Sequence, residues 1–538
     1  MGNYVYGGCM IVRRTIPILS VALALALSVV TGCAASDSAP QPAPLETSTS
    51  SGQLRGVDTA TTREYRGVRY AEPPVGDRRW TLPVAAGRAP GIVDASRAGS
   101  PCPQTTPLPG GQPQPSEDCL SVNVTTPLHP RRPGPLPVMV WWHGGGYTSG
   151  SGASYDARRL AERGDVVVVT VNYRLGVFGY LGLPGLPGGG DFGLADQLQS
   201  LRWVRDNATA FGADPENVTV VGESAGGMSA CAALTTPASD GLVDKAVIAS
   251  GSCLLDWPKG GLYPGVDAQT PYTAREQSER LGASVAEGLG CSGAEAISCL
   301  RRLPEERLMS VDAQFSNVLA YGTDLLPDDP AAVFRKGGQA PVPMIAGGNR
   351  DEHRSFIGGY LAIDPTAITD RTYPTLVADA FGDRAPAVLD RYPLVHFPSP
   401  AIAWSTVITD AAWACPTVSG ARLSAARAPT WLYEFADESA PNINQVTTIP
   451  QGAAHATDTP YYFDLGGNDL LRTPRQRQIG DQMIDFWTSF AHDGTARITG
   501  GPDVRQMSTT DRTGLRFGTE TTEYADLFAE HSCDLWNR

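Results

Sequence analysis

Positive charge is in short supply in this chain. Lysine and arginine total 42 against 56 aspartates and glutamates in 538 residues, a formal net charge of −14. Nucleic-acid binding rests on cationic neutralisation of phosphates, so this balance argues against a nucleic-acid partner. Histidine is scarce, at 7, and the 10 cysteines show no zinc-type spacing with it. There is no Walker-type or dinucleotide-binding glycine loop. Neither a metal nor an organic cofactor is therefore expected. No internal repeat is visible. What the chain has in quantity is glycine and proline, 59 and 44 residues, as suits a loop-rich α/β enzyme.

The most informative stretch is Asn217-Val-Thr-Val-Val-Gly-Glu-Ser-Ala-Gly-Gly227. A β-branched run ends in Gly-Glu-Ser-Ala-Gly and is followed by small, helix-compatible residues. This is a G-x-S-x-G nucleophile elbow in its required strand-to-helix setting. Gly222 and Gly226 lack Cβ atoms, so the chain can turn tightly around Ser224. Upstream, Leu136-Pro-Val-Met-Val-Trp-Trp-His-Gly-Gly-Gly-Tyr147 reads as a buried strand running into an HGGG-type loop. The backbone N–H groups of Gly145 and Gly146, with that of Ala225 after the serine, are the expected oxyanion hole.

A serine nucleophile needs a base and a group that orients it. In this chain order the acid and then the histidine follow the serine. The apolar segment Val342–Gly348 ends in polar residues that offer both Asp351 and Glu352. His129 and His143 precede the serine, and His353 adjoins the carboxylates. His396 precedes a proline-rich segment, His492 sits near a helix end and His531 lies in the C-terminal tail. His455, in the small-residue loop Gly452-Ala-Ala-His-Ala, suits a crowded site best.

Several blocks together resemble the type B carboxylesterases of the cholinesterase-like α/β-hydrolases, from about Gly56 to the C-terminus. They are Tyr65-Arg-Gly-Val-Arg-Tyr-Ala-Glu-Pro-Pro-Val-Gly76, Glu117-Asp-Cys-Leu-Ser-Val-Asn-Val124, Asn172-Tyr-Arg-Leu-Gly-Val-Phe-Gly179, Gly193-Leu-Ala-Asp-Gln197 and Gly222-Glu-Ser-Ala-Gly-Gly227. The resemblance implies that the acid is Glu352 rather than Asp351, which spacing alone leaves open. It also implies that the base is His455. His353 stands where the family usually has glycine. The implied function is hydrolysis of small-molecule carboxylic esters through Ser224, His455 and Glu352 and an acyl-enzyme. The same triad could cleave carbamates or amides, and a non-catalytic recognition domain on this fold is the reading from another class. The resemblance further implies disulfides Cys102–Cys119, Cys291–Cys299 and Cys415–Cys533. Cys231 and Cys253 remain, either paired or as buried thiols.

The expected fold is α/β: a mostly parallel sheet flanked by helices, with strands at 137–142, 165–172, 217–223, 245–250, 342–347 and 430–436. Residues 256–339 lack clear strands and are expected to form a helical cap over the site. Arg13 and Arg14 precede an uncharged apolar run, Thr15–Thr31, and then Val30-Thr-Gly-Cys33, which resembles a bacterial lipobox. Residues 1–32 are thus expected to be a signal peptide, with Met10 opening a more usual one than Met1. Cys33 is the expected lipidation site, 33–53 a disordered tether and 54–538 the hydrolase domain. The alternatives are an uncleaved transmembrane anchor or plain secretion. The expected location is outside the cytoplasm, lipid-anchored to the membrane or secreted. The sequence does not read out an oligomeric state.

Overall fold

The computed structural model describes residues 42–108, 111–316 and 319–536. Its centre is a sheet of eleven strands among the described residues. In chain order these are β1 (Val57–Asp58), β2 (Thr62–Arg69), β3 (Ser121–Pro127), β4 (Leu136–Trp142), β5 (Val167–Val171), β6 (Ala213–Glu223), β7 (Lys245–Ala249), β8 (Met344–Asn349), β9 (Thr430–Ala436), β10 (Gly514–Gly518) and β11 (Thr522–Ala525). Their spatial order is β11-β10-β9-β8-β7-β6-β4-β5-β3-β2-β1. From β10 to β5 every pairing is parallel, and the pairings at both edges are antiparallel. All six expected strands are present.

The central strands read as continuous apolar runs because both faces of the sheet are covered. Along β4, Val138, Val140 and Trp142 enter one buried cluster, and Met139 and Trp141 the other. The second cluster is closed by the helix Pro474–Asp493, whose Ile479, Met483, Phe486, Trp487 and Phe490 lie against the sheet. That helix starts on a capping box, Thr473 with Gln476, which satisfies backbone donors at its first turn.

Two expectations need adjustment. The segment read as a tether through residue 53 is folded from Glu46 onward: Glu46–Thr49 and Gly52–Arg55 pair antiparallel. The hairpin is docked by Trp203 Nε1, which donates to Ser51 Oγ at 2.9 Å, and by Ser50 N–H, which donates to Asn207 Oδ1 at 2.7 Å. Its Ser/Thr-rich composition resembles a linker, but Thr47, Thr49 and Leu54 alternate inward. Residues 1–41, which include the expected signal peptide and Cys33, lie outside the described residues. The cap is mostly helical, with Arg275–Gly288 its longest helix. It also holds a parallel pair of short strands, Tyr272–Ala274 and Leu319–Tyr321. Three residues are too few to reveal a two-residue period.

The chain is bridged at Cys102–Cys119, Cys291–Cys299 and Cys415–Cys533, with Cα separations of 5.0, 5.5 and 5.3 Å. Cys231 and Cys253 also pair, with Cα atoms 5.3 Å apart. No helix of the described residues is long and apolar enough to cross a membrane.

Candidate active site

The site forms where the sheet's connections reverse direction. From β4 the chain goes to β5 on one side, and β6 lies on the other. Open α/β sheets bind ligands at the carboxyl ends of such strands. The loop after β4 carries His143–Gly146, and the turn after β6 carries Ser224.

Ser224 is at φ 55°, ψ −123°, a left-handed φ that costs a non-glycine residue of order 1–3 kcal/mol. The surrounding backbone fixes it. Its N–H donates to the Ala249 carbonyl at 3.0 Å, and the helix Ala225–Ala233 begins at the next residue. The glycines around it are steric necessities. A Cβ on Gly226 would sit 1.9 Å from the Trp142 carbonyl oxygen, and one on Gly222 would sit 2.2 Å from that of Gly226.

The HGGG loop is equally constrained. Gly145 and Gly146 are at φ 107° and 61°, and a Cβ on Gly145 would meet the Ser149 carbonyl oxygen at 2.2 Å. His143 is buried, and burial pushes its imidazole down to about 4. The ring is therefore neutral, with Nδ1–H donating to the Gly144 carbonyl at 2.8 Å. Tyr173 OH donates to the His143 carbonyl at 2.6 Å. These contacts hold the turn. The N–H of Ala225, in the first turn of its helix, is outside the helical ladder.

His455 links the other parts. Ser224 Oγ lies 2.8 Å from His455 Nε2, and His455 Nδ1 lies 2.6 Å from Glu352 Oε2. A carboxylate on Nδ1 makes that nitrogen the donor and leaves Nε2 to accept from the serine hydroxyl. Glu352 Oε1 accepts from Asn349 N–H at 2.8 Å, so the carboxylate is held at both oxygens. The imidazole ring is flanked by Phe356 and Trp413, with centroids 5.1 and 4.9 Å away. Burial opposes a charge on His455, but Glu352 and then Glu223 outweigh it and lift the ring above its ordinary value.

The neighbouring Asp351 occupies a different place. Its backbone N–H donates to the Ala453 carbonyl and its Oδ2 accepts from Ala453 N–H, both at 3.0 Å. Arg350 and Arg354 pair with it at 3.0 and 2.8 Å. Asp351 thus clamps the chain just before His455. His353, at the position where glycine was expected, is at φ −83°, so no left-handed residue is required there. Burial pushes its imidazole down to about 3. Its N–H donates to Thr409 Oγ1 at 3.0 Å, and its Nδ1 accepts from Trp413 Nε1 at 3.3 Å. His396 has no part in this array, and His492 Nε2 donates to the Gly164 carbonyl at 3.0 Å.

Two groups escaped sequence reasoning. Glu223, the variable residue of the elbow motif, is buried, with Oε1 3.5 Å from His455 Nε2, and among the described residues that oxygen has no hydrogen-bond partner. Burial pushes its carboxyl up to about 8. Its place inside the G-x-S-x-G motif was a usable signal. His531 was read as a tail residue. It lies buried between Asp410 Oδ1 at 2.6 Å from Nδ1 and Glu434 Oε1 at 2.5 Å from Nε2. No local sequence signal brings those residues together.

A cavity of about 440 Å³ opens onto Ser224 and His455, within the size range of small-molecule sites. Trp257, Leu262, Tyr263, Phe356 and Trp413 form its apolar wall, and the Gly144–Gly146 turn lines it as well. Among the described residues no group of three or more His, Cys, Asp or Glu could hold a metal ion. The arrangement can deprotonate a serine hydroxyl beside a glycine-rich backbone turn, which is the chemistry of acyl transfer.

The sequence model of the carboxylesterase family matches residues 43–536. Para-nitrobenzyl esterase of Bacillus subtilis (strain 168) is 31% identical over 472 residues, covering 82% of this chain and 88% of that protein. Neuroligin-2 of Homo sapiens is 29% identical over 534 residues, covering 83% of this chain and 60% of that protein. The solved structure of a thermophilic PNB esterase superposes with a TM-score of 0.75 at 28% identity, over 91% of this chain and 99% of that one. The chain belongs to the carboxylesterase family of α/β-hydrolases, as a type B carboxylesterase.

Proposed function

We propose that the protein hydrolyses small-molecule carboxylic esters with Ser224 as nucleophile, His455 as general base and Glu352 as the group that orients and neutralises the imidazolium. The continuous hydrogen-bonded chain from Ser224 through His455 to Glu352, at the mouth of an apolar cavity, carries this reading. His455 Nε2 takes the hydroxyl proton as Ser224 Oγ attacks the ester carbonyl. The tetrahedral oxyanion is received by the N–H groups of Gly145, Gly146 and Ala225, each worth roughly 3 kcal/mol in the transition state. The imidazolium then gives its proton to the departing alcohol. Water, activated in the same way, cleaves the acyl-enzyme and restores the serine. The apolar wall suits an ester with an apolar group on one side of the carbonyl.

The test is covalent labelling with an organophosphonate followed by peptide mass spectrometry. The adduct is expected on Ser224, and activity is expected to be lost in Ser224→Ala. An adduct on another serine refutes the assignment. We also propose export, with the mature chain anchored by lipid at Cys33. Four disulfides support an oxidising compartment, and the motif Val30-Thr-Gly-Cys33 supports the anchor.

A further inference from the structure

A second cavity, of about 860 Å³, shares no residue with the catalytic one. Arg335, Arg384, Arg422, Asp256, Phe381 and Trp536 line it. Among the described lining residues, Arg335 and Arg422 stand against the single carboxylate of Asp256, a balance opposite in sign to the chain's −14. Arg384 lies over the Trp536 ring, 5.3 Å from its centroid, and its Nη2 donates to the Leu535 carbonyl at 2.6 Å. Phe381 packs on Trp536 at 5.1 Å. One end of the cleft is thus an aromatic surface carrying a fixed cation.

Arg422 lies 4.8 Å from the Phe528 centroid. Its Nε donates to the Asp511 carbonyl at 2.7 Å and its Nη2 to the Thr510 carbonyl at 3.4 Å. Both partners are neutral backbone oxygens, and among the described residues Arg422 forms no ion pair. Burial, with Arg512 nearby, holds its guanidinium below the ordinary arginine value against the opposing pull of Asp511 and Asp526. Arg335 makes neither a hydrogen bond nor an ion pair among the described residues, and the carboxyl of Asp256, raised by burial, is drawn down by its charge. Guanidinium forks held in no ion pair among the described residues match the paired oxygens of a carboxylate or phosphate. The aromatic surface beside them offers a place for an apolar body.

We propose that this cleft is a second binding site, for an amphiphile with an oxyanion head, held by Arg335 and Arg422, and an apolar body against Phe381 and Trp536. The ligand is a monoanion of modest size, since the lining still contains Asp256, which opposes accumulation of further negative charge. Binding depends on ionic strength, because the cleft is open and its cations are reached by salt. The site is independent of the ester chemistry, since no residue of the triad or its cavity belongs to it.

The test is equilibrium dialysis of the whole protein against decanoate, decyl phosphate and, as the uncharged control, decanol. The catalytic cavity is first blocked with an organophosphonate, so that only other sites are read. Saturable binding of one or both anions is expected, at least tenfold tighter than any binding of decanol and weakening as salt is raised. Arg335→Ala with Arg422→Ala is expected to weaken it at least tenfold. The same double variant, left unblocked, should keep its esterase kcat and KM within twofold, which also shows that it folds. Decanoate alone or decyl phosphate alone binding identifies the head group. Equal binding of decanol, or undiminished anion binding by the folded double variant, overturns the proposal. If the double variant does not fold, Arg335→Ala alone, at an exposed side chain, carries the comparison with the same outcomes.

Discussion

Asp351 and Glu352 differ by one methylene and one position, and the fold gives them separate tasks. Glu352 meets the Nδ1 of His455, whereas Asp351 fastens the loop that delivers it. Glu352→Gln removes the charge that stabilises the imidazolium and admits the wrong tautomer, so kcat should fall by roughly 10³–10⁴. Asp351→Asn keeps an oxygen for Ala453 N–H and loses two arginine pairs, so its loss should stay within about tenfold. Steady-state kinetics of the two variants decide the assignment, and the reverse order contradicts it. The pH profile gives a separate reading. His455 must be neutral to accept the proton, and its pKa is raised by Glu352 and Glu223. The rising limb of kcat/KM should therefore lie above the ordinary histidine value of about 6.5. In Glu352→Gln the residual activity should rise at lower pH than in the wild type. A limb that stays in place rules out Glu352 as the main source of the shift.

Among the elements, the turn between β6 and its helix leaves little room for change. Gly226→Ala drives a Cβ to 1.9 Å from the Trp142 carbonyl oxygen. The backbone must shift, at a cost of about 1–3 kcal/mol, and Ser224 shifts with it. Thermal melting together with kcat should show a modest loss of stability and a far larger loss of turnover. The C-terminal segment around His531 makes the opposite kind of contribution. Burial opposes its charge, but Asp410 and Glu434 raise its pKa to about 10. Its stabilisation is complete below the unfolded value of about 6.5 and fades as pH rises through about 10. His531→Gln leaves the buried Asp410 carboxylate without its cation, while Glu434 keeps Arg516, and this costs about 3–5 kcal/mol at neutral pH. Denaturant unfolding at pH 7 and pH 10 should show that deficit shrinking at the higher pH. The strands, and the meeting of Ser224 with His455, were legible in the sequence because period, turn chemistry and chain order are local or ordered signals. Glu352 needed the family resemblance, since both carboxylates follow the same strand. Glu223, the Asp410–His531–Glu434 cluster and the hairpin after Glu46 were not read. The two side-chain arrays depend on approaches that the fold alone creates, and the hairpin's composition imitates a linker.

For the whole molecule, the bridges and the proposed anchor govern where the enzyme can work. Cys415–Cys533 spans a sequence separation of 118, and closing a loop of that size is worth roughly 4–5 kcal/mol in the chain-entropy model. Under reducing conditions the protein should melt at a lower temperature than in its oxidised form, and Cys415→Ser should reproduce most of the difference. Cys33→Ser should move the enzyme from the membrane fraction to the soluble one with its kcat unchanged. If an uncleaved segment holds the protein, fractionation stays the same and residues 10–32 are retained. The sheet order adds a constraint in time. β4 must wait for β6, with β5 and a long helix intervening in sequence, and β9 must wait for β10 across some eighty residues. Pairings this remote are reached slowly, because loop closure must come before any contact rewards it. A newly made chain therefore completes its sheet late, which would suit the export proposed above. The price of that delay is a window in which its apolar strands are exposed to one another's copies.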